Sequence, residues 1–201
     1  ISGTNALKMD AAIHTLPMSL EHMKTEKTAS SCYSVSWTED NRVLCSVNEG
    51  IEVRDSTLKL KTTMKIPDQS YTFSAVSVDD AVYTHIFSNP NKQFSMWIGS
   101  LQSTPTHSIL HTERHEIGSK ITHLSANRKY IASIDYVHKT IKIFKSDNAE
   151  HMFDIVITDM DQLFGVHLIS EAVLITDFTG GKLSKYALST SPQPFWTCTG
   201  L

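Results

Sequence analysis

Hydrophobic and polar positions alternate over short runs along most of this chain. The clearest case is Tyr130–Ser146 (YIASIDYVHKTIKIFKS), where Tyr130–Asp135 and Thr140–Lys145 each alternate apolar residues with polar or small ones. This spacing is typical of strands that have one buried face and one wetter face. The short polar stretch Tyr136–Lys139 lies between the two runs, and the whole segment therefore predicts a hairpin.

Similar groups of strands recur along the chain at a regular interval. The third strand of each group begins near Ile51, Phe94, Ile141 or Leu183, and these positions differ by 43, 47 and 42. A period of about 40–50 residues with four short strands per unit is typical of a β-propeller. We therefore predict an all-β fold, a β-propeller-type array of four-stranded antiparallel blades. The predicted strands are Cys32–Trp37, Val43–Val47, Ile51–Arg54, Leu58–Ile66, Tyr71–Val78, Ala81–Phe87, Phe94–Ile98, His107–His111, Ile117–Leu124, Tyr130–Asp135, Thr140–Lys145, Met152–Ile157, Leu163–Ile169, Val173–Asp177, Leu183–Leu188 and Phe195–Cys198.

This pattern divides the chain into four full units and one incomplete one. The units cover about 31–66, 71–112, 116–157 and 160–201, and residues 1–30 are expected to form a partial blade or a strap. Four to five blades fit either a small closed ring or part of a larger propeller completed elsewhere. The chain begins at Ile1 rather than Met, which favours a fragment or a processed form.

The central and outer strands of a unit differ in the way that stacked blades require. Val43–Val47 and Val173–Ile175 carry apolar residues on both faces, as expected for strands covered by neighbouring blades on both sides. Leu58–Ile66 alternates apolar residues with lysines, which suits an outermost strand and discourages edge-to-edge pairing.

The third and fourth units resemble the NHL-type propeller blade, a relative of the WD-repeat blade. The matching residues are an apolar strand that ends at an Asp (Asp135, Asp177), a short polar link, and a second apolar strand with Ile141, Ile143 and Phe144 or with Leu183 and Tyr186. The closing sequence Phe195–Leu201 resembles the propeller found at the C-terminus of tripartite-motif proteins. The resemblance implies a recognition scaffold without chemistry of its own, which binds either protein or RNA.

Composition narrows the classes of function. The 201 residues are 40% hydrophobic and carry 18 basic and 21 acidic side chains, so no overall positive field favours nucleic acid or anionic lipid. No apolar run reaches the roughly 18 residues of a membrane span, and we expect no membrane association. The three cysteines are far apart and odd in number, which favours a reducing, cytoplasmic location.

The ten histidines do not predict a metal site. His107, His111 and His115 are spaced by four, but on a strand that spacing places them about 13 Å apart, too far to share an ion. His85, His123 and His167 fall in first or second strands, where we expect buried neutral rings bonded to neighbouring backbone.

We find no motif that predicts catalysis or a cofactor. Cys32 and Cys45 are expected on adjacent strands and could face each other, but they are interpreted as small structural thiols. The sequence has no Cys-x-x-Cys, no phosphate-binding glycine loop and no nucleophile elbow. Asp135 and Asp177 are interpreted as turn residues whose carboxylates accept bonds from backbone N–H groups of the following link, the alternative being a carboxylate at a channel entrance. We predict a protein that is not an enzyme.

The links after the second and fourth strands of each blade should open on one face, and loops on a rigid scaffold usually carry recognition. The charged residues of these links are mixed to acidic, whereas RNA recognition favours a basic stripe with exposed aromatics. We therefore predict a protein partner, with RNA, a structural role in a larger ring, and completion by a second copy as alternatives. The candidate contact residues are Asn89, Lys92, Arg114, His115, Tyr136, His138, Lys139, Phe178 and Lys182.

Overall fold

The described residues of this protein form a four-blade β-propeller in which every blade is a four-stranded antiparallel sheet. This fold was obtained as a computed structural model that describes residues 25–66, 70–88, 93–101, 108–114, 123–189 and 194–199. The predicted fold class is therefore confirmed. Blade 1 holds β1 (Cys32–Trp37), β2 (Val43–Val47), β3 (Gly50–Arg54) and β4 (Leu60–Lys65); blade 2 holds β5 (Ser70–Val78), β6 (Ala81–Ser88), β7 (Gln93–Ser100) and β8 (Ser108–Arg114). Blade 3 holds β9 (Leu124–Ala126), β10 (Tyr130–Asp135), β11 (Thr140–Lys145) and β12 (His151–Val156); blade 4 holds β13 (Leu163–Ile169), β14 (Ala172–Asp177), β15 (Lys182–Ala187) and β16 (Pro194–Thr199).

Consecutive blades pack through their inner strands, so β1 contacts β5, β5 contacts β9, and β9 and β10 contact β13. Among the described residues, blades 1 and 4 share no comparable packing. The first strand of blade 3 was predicted at Ile117–Leu124, and most of this range lies outside the described residues. The strand β9 begins at Leu124 and ends at Ala126, two residues beyond the predicted end.

Alternation explains why these segments form strands. In the central hairpin of blade 3, Ile134 pairs with Ile141 and Ala132 with Ile143, and all four side chains are buried. Every residue of β2 is buried, whereas β4 is exposed except at Met64. The expected contrast between central and outermost strands is thus present in blade 1.

The core consists of layers between successive blades rather than one central cluster. The largest layer lies between blades 3 and 4, where fully buried Ile141, Ile143 and Ile155 pack with Val173 and Ile175. Burial of a side chain of this size contributes about 1.5–3 kcal/mol. Polar bonds also cross between blades, since the buried Tyr83 hydroxyl donates to the carbonyl of Ser146.

Residues 25–31 form no strand and lie across one side of blade 1. The Arg54 guanidinium donates to the Lys27 carbonyl at 2.8 Å, and Ala29 N–H donates to Glu52 Oε1 at 2.7 Å. We call residues 25–31 the strap. Residues 1–24 lie outside the described residues, as does most of the N-terminal unit predicted for residues 1–30.

Two opposite faces of the propeller are formed by the connections between strands. The upper face contains the links after the second and fourth strands of each blade, and the lower face contains the links after the first and third strands. The described residues include no helix long and apolar enough to cross a membrane.

Candidate functional site

The turn that follows β10 contains three of the predicted contact residues. Tyr136 is half-buried against the core, while His138 and Lys139 are exposed on the upper face. Lys139 adopts a positive φ of 52°, which closes the four-residue turn, and its carbonyl accepts from Ile157 N–H at 2.9 Å. Within the part of the chain that the structure describes, Val137, His138 and Lys139 are exposed, so their side chains are available to a partner.

The turn that follows β14 brings two further candidates to the same face. Phe178 is 67% exposed. The ammonium of Lys182 donates to the Asp159 carbonyl at 2.6 Å, so Lys182 ties this turn to the link that enters blade 4. Among the other candidates, Arg114 ends β8, whereas Asn89, Lys92 and His115 lie outside the described residues.

Asp135 and Asp177 hold these two turns in shape, as their interpretation as turn residues predicted. Both carboxylates are buried; that of Asp135 accepts from His138 N–H at 3.1 Å and contacts His138 Nδ1 at 2.9 Å. Asp177 accepts from the N–H groups of Asp161, Gln162 and Thr179 at 3.0–3.1 Å. Burial alone would raise the pKa of Asp177, but these backbone bonds to its charged form lower it to about 2.

Aromatic side chains surround the upper end of the innermost strands, a feature that sequence reasoning missed. Tyr33 contacts Phe73 with ring centroids 5.7 Å apart, which connects blades 1 and 2. On blades 3 and 4, Phe164 lies 5.0 Å from His123 and 5.3 Å from Phe178. We call these five residues, Tyr33, Phe73, His123, Phe164 and Phe178, the aromatic rim.

Three members of the aromatic rim occupy β-bulges, and this explains their position. The pairing register shifts at Tyr33 in β1, at Phe73 in β5 and at Phe164 in β13. A bulge inserts one unpaired residue and re-aims its side chain away from the regular alternation. An aromatic residue near the start of the first strand of blades 1, 2 and 4 was visible in the sequence, but a bulge cannot be identified from alternation alone.

The histidines divide into three environments. His123 is half-buried, and burial lowers its pKa, so its ring is neutral near neutral pH. His85 is buried as predicted, and its Nε2 lies 3.0 Å from the hydroxyl oxygen of Ser133, a side-chain partner where a backbone partner was expected. The prediction for His167 is wrong, because this side chain is exposed on the outer side of blade 4.

Cys32 and Cys45 lie on the adjacent strands β1 and β2, as the sequence predicted, but in the pairing register Cys32 is opposite Val47 and Cys45 is opposite Val35. The Cys32 thiol donates to the Ser34 carbonyl at 3.4 Å, and burial raises the pKa of both thiols, that of Cys45 to about 11. Thiols that remain protonated at neutral pH are poor nucleophiles. The described residues contain no group of three or more His, Cys, Asp or Glu side chains that could hold a metal ion.

The lower face carries a depression lined by paired charged residues rather than by aromatic side chains. This depression of about 410 Å³ is lined by residues of blades 1, 3 and 4. Its charges neutralise one another, since Arg128 lies 3.0 Å from Glu39 and Lys129 lies 2.6 Å from Glu171. Paired, exposed charges leave little net attraction for a charged ligand, and the upper face is therefore the better candidate site.

Comparisons with known proteins show the fold. No protein family matches the sequence, and no curated protein does. The structure of the computationally designed Ika4 protein superposes with a TM-score of 0.60 at 16% identity, covering 86% of this chain and 100% of Ika4. The designed Ika8 protein gives 0.57 at 11% identity, and BamB from Moraxella catarrhalis gives 0.55 at 13% identity.

The length of these structures differs from that of the chain. The chain spans 48% of Ika8 and 49% of BamB, while 83% and 82% of the chain are covered. The four blades therefore match about half of Ika8 and of BamB, and the whole of the shorter Ika4. At these identities the similarity concerns the propeller fold alone.

Proposed function

We propose that this chain is a non-catalytic interaction module that binds a protein partner through the upper face, at the aromatic rim. The observation that carries the proposal is the exposure of the rim on blade 4. Phe164 is 45% exposed and Phe178 is 67% exposed, and Val137 on the neighbouring turn is 47% exposed. Aromatic side chains that stay accessible on a rigid scaffold are typical anchors of protein interfaces.

Rigidity of the rim supports the same role. Phe178 N–H donates to the Gln162 carbonyl at 2.9 Å, and Asp177 fixes the turn beside it through several backbone bonds. Bulged strands hold Phe164 and Tyr33. A side chain that is already ordered loses less conformational entropy on binding, which favours affinity.

Charge favours protein over RNA. The described part of the upper face carries Glu49, Asp159 and Asp161 against Lys139 and Lys182, and the Lys182 ammonium is already bonded to a carbonyl. RNA binding depends on a net positive surface that contacts phosphates. We therefore expect a partner segment with an apolar or aromatic anchor that enters the rim. The resemblance of blades 3 and 4 to NHL-type blades is consistent with such a recognition role.

Peptide display followed by direct binding tests the proposal. Peptides selected on the wild-type protein are labelled and titrated by fluorescence anisotropy against wild type, F164S and F178S. We expect each rim substitution to weaken binding by about tenfold or more, since an anchor residue contributes 2 kcal/mol or more and about 1.4 kcal/mol corresponds to tenfold.

The control is M152S, because Met152 is 40% exposed on β12 at the lower end of blade 3, away from the rim. Peptides that bind F164S and F178S as tightly as wild type would contradict the proposal. A single-stranded RNA pool that binds wild type at physiological salt and loses affinity in F178S would favour the RNA alternative instead.

A further inference from the structure

A serine on the inner strand of each of the first three blades forms a hydrogen bond to the next blade. Ser36, Ser74 and Ser125 occupy equivalent places on the inner strands, opposite Leu44, His85 and Ala132 of the adjacent strand. Each serine crosses to the inner strand of the next blade. Ser36 Oγ donates to the Ala75 carbonyl at 2.7 Å, Ser74 Oγ accepts from Leu124 N–H at 3.0 Å, and Ser125 Oγ accepts from Leu168 N–H at 2.9 Å.

Blade 4 has His167 at this position, opposite Leu174. The ring of His167 is exposed on the side where a following blade would lie. An imidazole can donate or accept the same kind of hydrogen bond as a serine hydroxyl. Within the described part of the chain, blade 4 therefore presents the joining position of the repeat without a following blade packed on it.

Blade 1 presents the complementary half of this contact. Trp37 is 61% exposed, whereas the equivalent residues Ala75 in blade 2 and Leu168 in blade 4 are 2% and 6% exposed. Val35 is 60% exposed, whereas Leu124 at the same place in blade 3 is 7% exposed. In blades 2 to 4 the side chains at these two places are buried or half-buried, whereas both are exposed in blade 1.

The strap leaves this inner strand bare. It bonds to Glu52 and Arg54 on β3, while Val35 and Trp37 of β1 stay exposed beside it. Inner strands are the elements through which consecutive blades pack in this chain. A depression of about 340 Å³ lies between the strap and the exposed strand, and it is large enough to accept side chains from another blade. Its lining includes Glu26 and Thr28 of the strap and Val35, Val43 and Cys45 of the sheet.

We propose that two copies of this chain associate head to tail, with β1 of one copy packed on the outer side of blade 4 of the other. Each copy carries both halves of the contact, and among the described residues blades 1 and 4 of one chain share no packing comparable to that between consecutive blades. A contact between unlike surfaces closes a ring when the rotation between copies permits it. Two copies of four blades then form one ring of eight with two identical junctions. The inference concerns the sides of blades 1 and 4 and is independent of the upper face.

Mass in solution tests the association. Multi-angle light scattering on the 201-residue chain should give twice the 22.5 kDa mass of one copy. W37E alters the β1 half and H167E alters the blade 4 half, and each alone should give a single-copy mass. V137E is the matched control, because Val137 is 47% exposed on the upper face and belongs to neither half; it should keep the double mass.

A mixing experiment distinguishes this arrangement from others. W37E retains an intact blade 4 half and H167E an intact β1 half, so an equimolar mixture can form one intact junction and should regain a two-copy species. This recovery also shows that both variants are folded. A single-copy mass for wild type at every concentration, assemblies larger than two copies, or a mixture that stays single would each overturn the proposal.

Discussion

Arg54 and Glu52 form a buried ion pair on the side of blade 1 that the strap covers. Arg54 Nη2 and Nε lie 2.6 Å and 2.8 Å from Glu52 Oε2, and the side chains are 7% and 1% exposed. Both groups also bond to the strap, the guanidinium to the Lys27 carbonyl and Glu52 to Ala29 N–H. The pair therefore links the first blade to the segment that precedes it.

Removal of one partner of this pair should be strongly destabilising. In E52A the Arg54 charge stays buried without a counter-ion, and we expect a loss of about 3–5 kcal/mol in the free energy of unfolding. Urea denaturation followed by circular dichroism measures this loss. In E52A/R54M no charge is left buried, and the double variant should recover much of the stability.

An exposed pair gives the control. Arg42 lies 2.5 Å from Asp40, whose side chain is 55% exposed, and D40A should cost no more than about 1 kcal/mol. Equal losses in E52A and D40A would show that burial does not determine the strength of the first pair.

Asp177 should make the stability of the protein depend on pH in the acid range. Its folded pKa of about 2 lies below the ordinary value of 3.8, so folding favours the charged form. The resulting stabilisation is fully present above the ordinary pKa and is lost as the pH falls through the folded pKa. We expect D177N to cost about 2 kcal/mol near neutral pH, because the carboxylate bonds to N–H groups are weakened.

The measurement is the difference in unfolding free energy between wild type and D177N as a function of pH. It should shrink between pH 3.8 and about 2. D161N is a suitable control, since the Asp161 side chain is exposed on the same link. If the difference in unfolding free energy did not change with pH, the charge of the Asp177 carboxylate would not be the source of its stabilising effect.

Much of the fold could be predicted, because buried and exposed side chains alternate every second residue along a strand. The hairpin of β10 and β11 begins and ends where the alternation of Tyr130–Lys145 placed it, and Asp135 and Asp177 hold their turns as expected. The aromatic rim could not be predicted, because a bulge at Phe164 interrupts the alternation of apolar and polar residues along the strand. His167 was predicted to be buried because strands of stacked blades were expected to be covered on both sides, whereas among the described residues blade 4 packs on blade 3 alone.

Gly50 should tolerate no side chain. Its φ is +154°, a conformation that residues with a Cβ rarely adopt, and an added Cβ would lie 2.1 Å from the Met64 carbonyl oxygen. We expect G50A to cost about 3 kcal/mol or more, since the backbone of β4 must move as well.

Thermal unfolding measures this cost, and E49A in the same turn is the control, because Glu49 is exposed and has a negative φ. A Tm for G50A within the range of E49A would be incompatible with the close approach of β4 at this position.

Ser125 should contribute to the junction between blades 3 and 4 through one hydrogen bond. Its hydroxyl accepts from Leu168 N–H at 2.9 Å, and both residues are buried. In S125A that N–H group loses its side-chain acceptor, and a buried donor left unsatisfied costs about 1–3 kcal/mol. Hydrogen exchange at the Leu168 amide should become faster in S125A by a corresponding factor, while exchange in the distant β2 stays unchanged.

The control is S56A, at an exposed turn of blade 1, which should change stability by less than about 0.5 kcal/mol. If S125A and S56A gave the same stability and the same exchange rate at Leu168, the serine would not join the blades, and the equivalent role assigned to His167 would lose its basis.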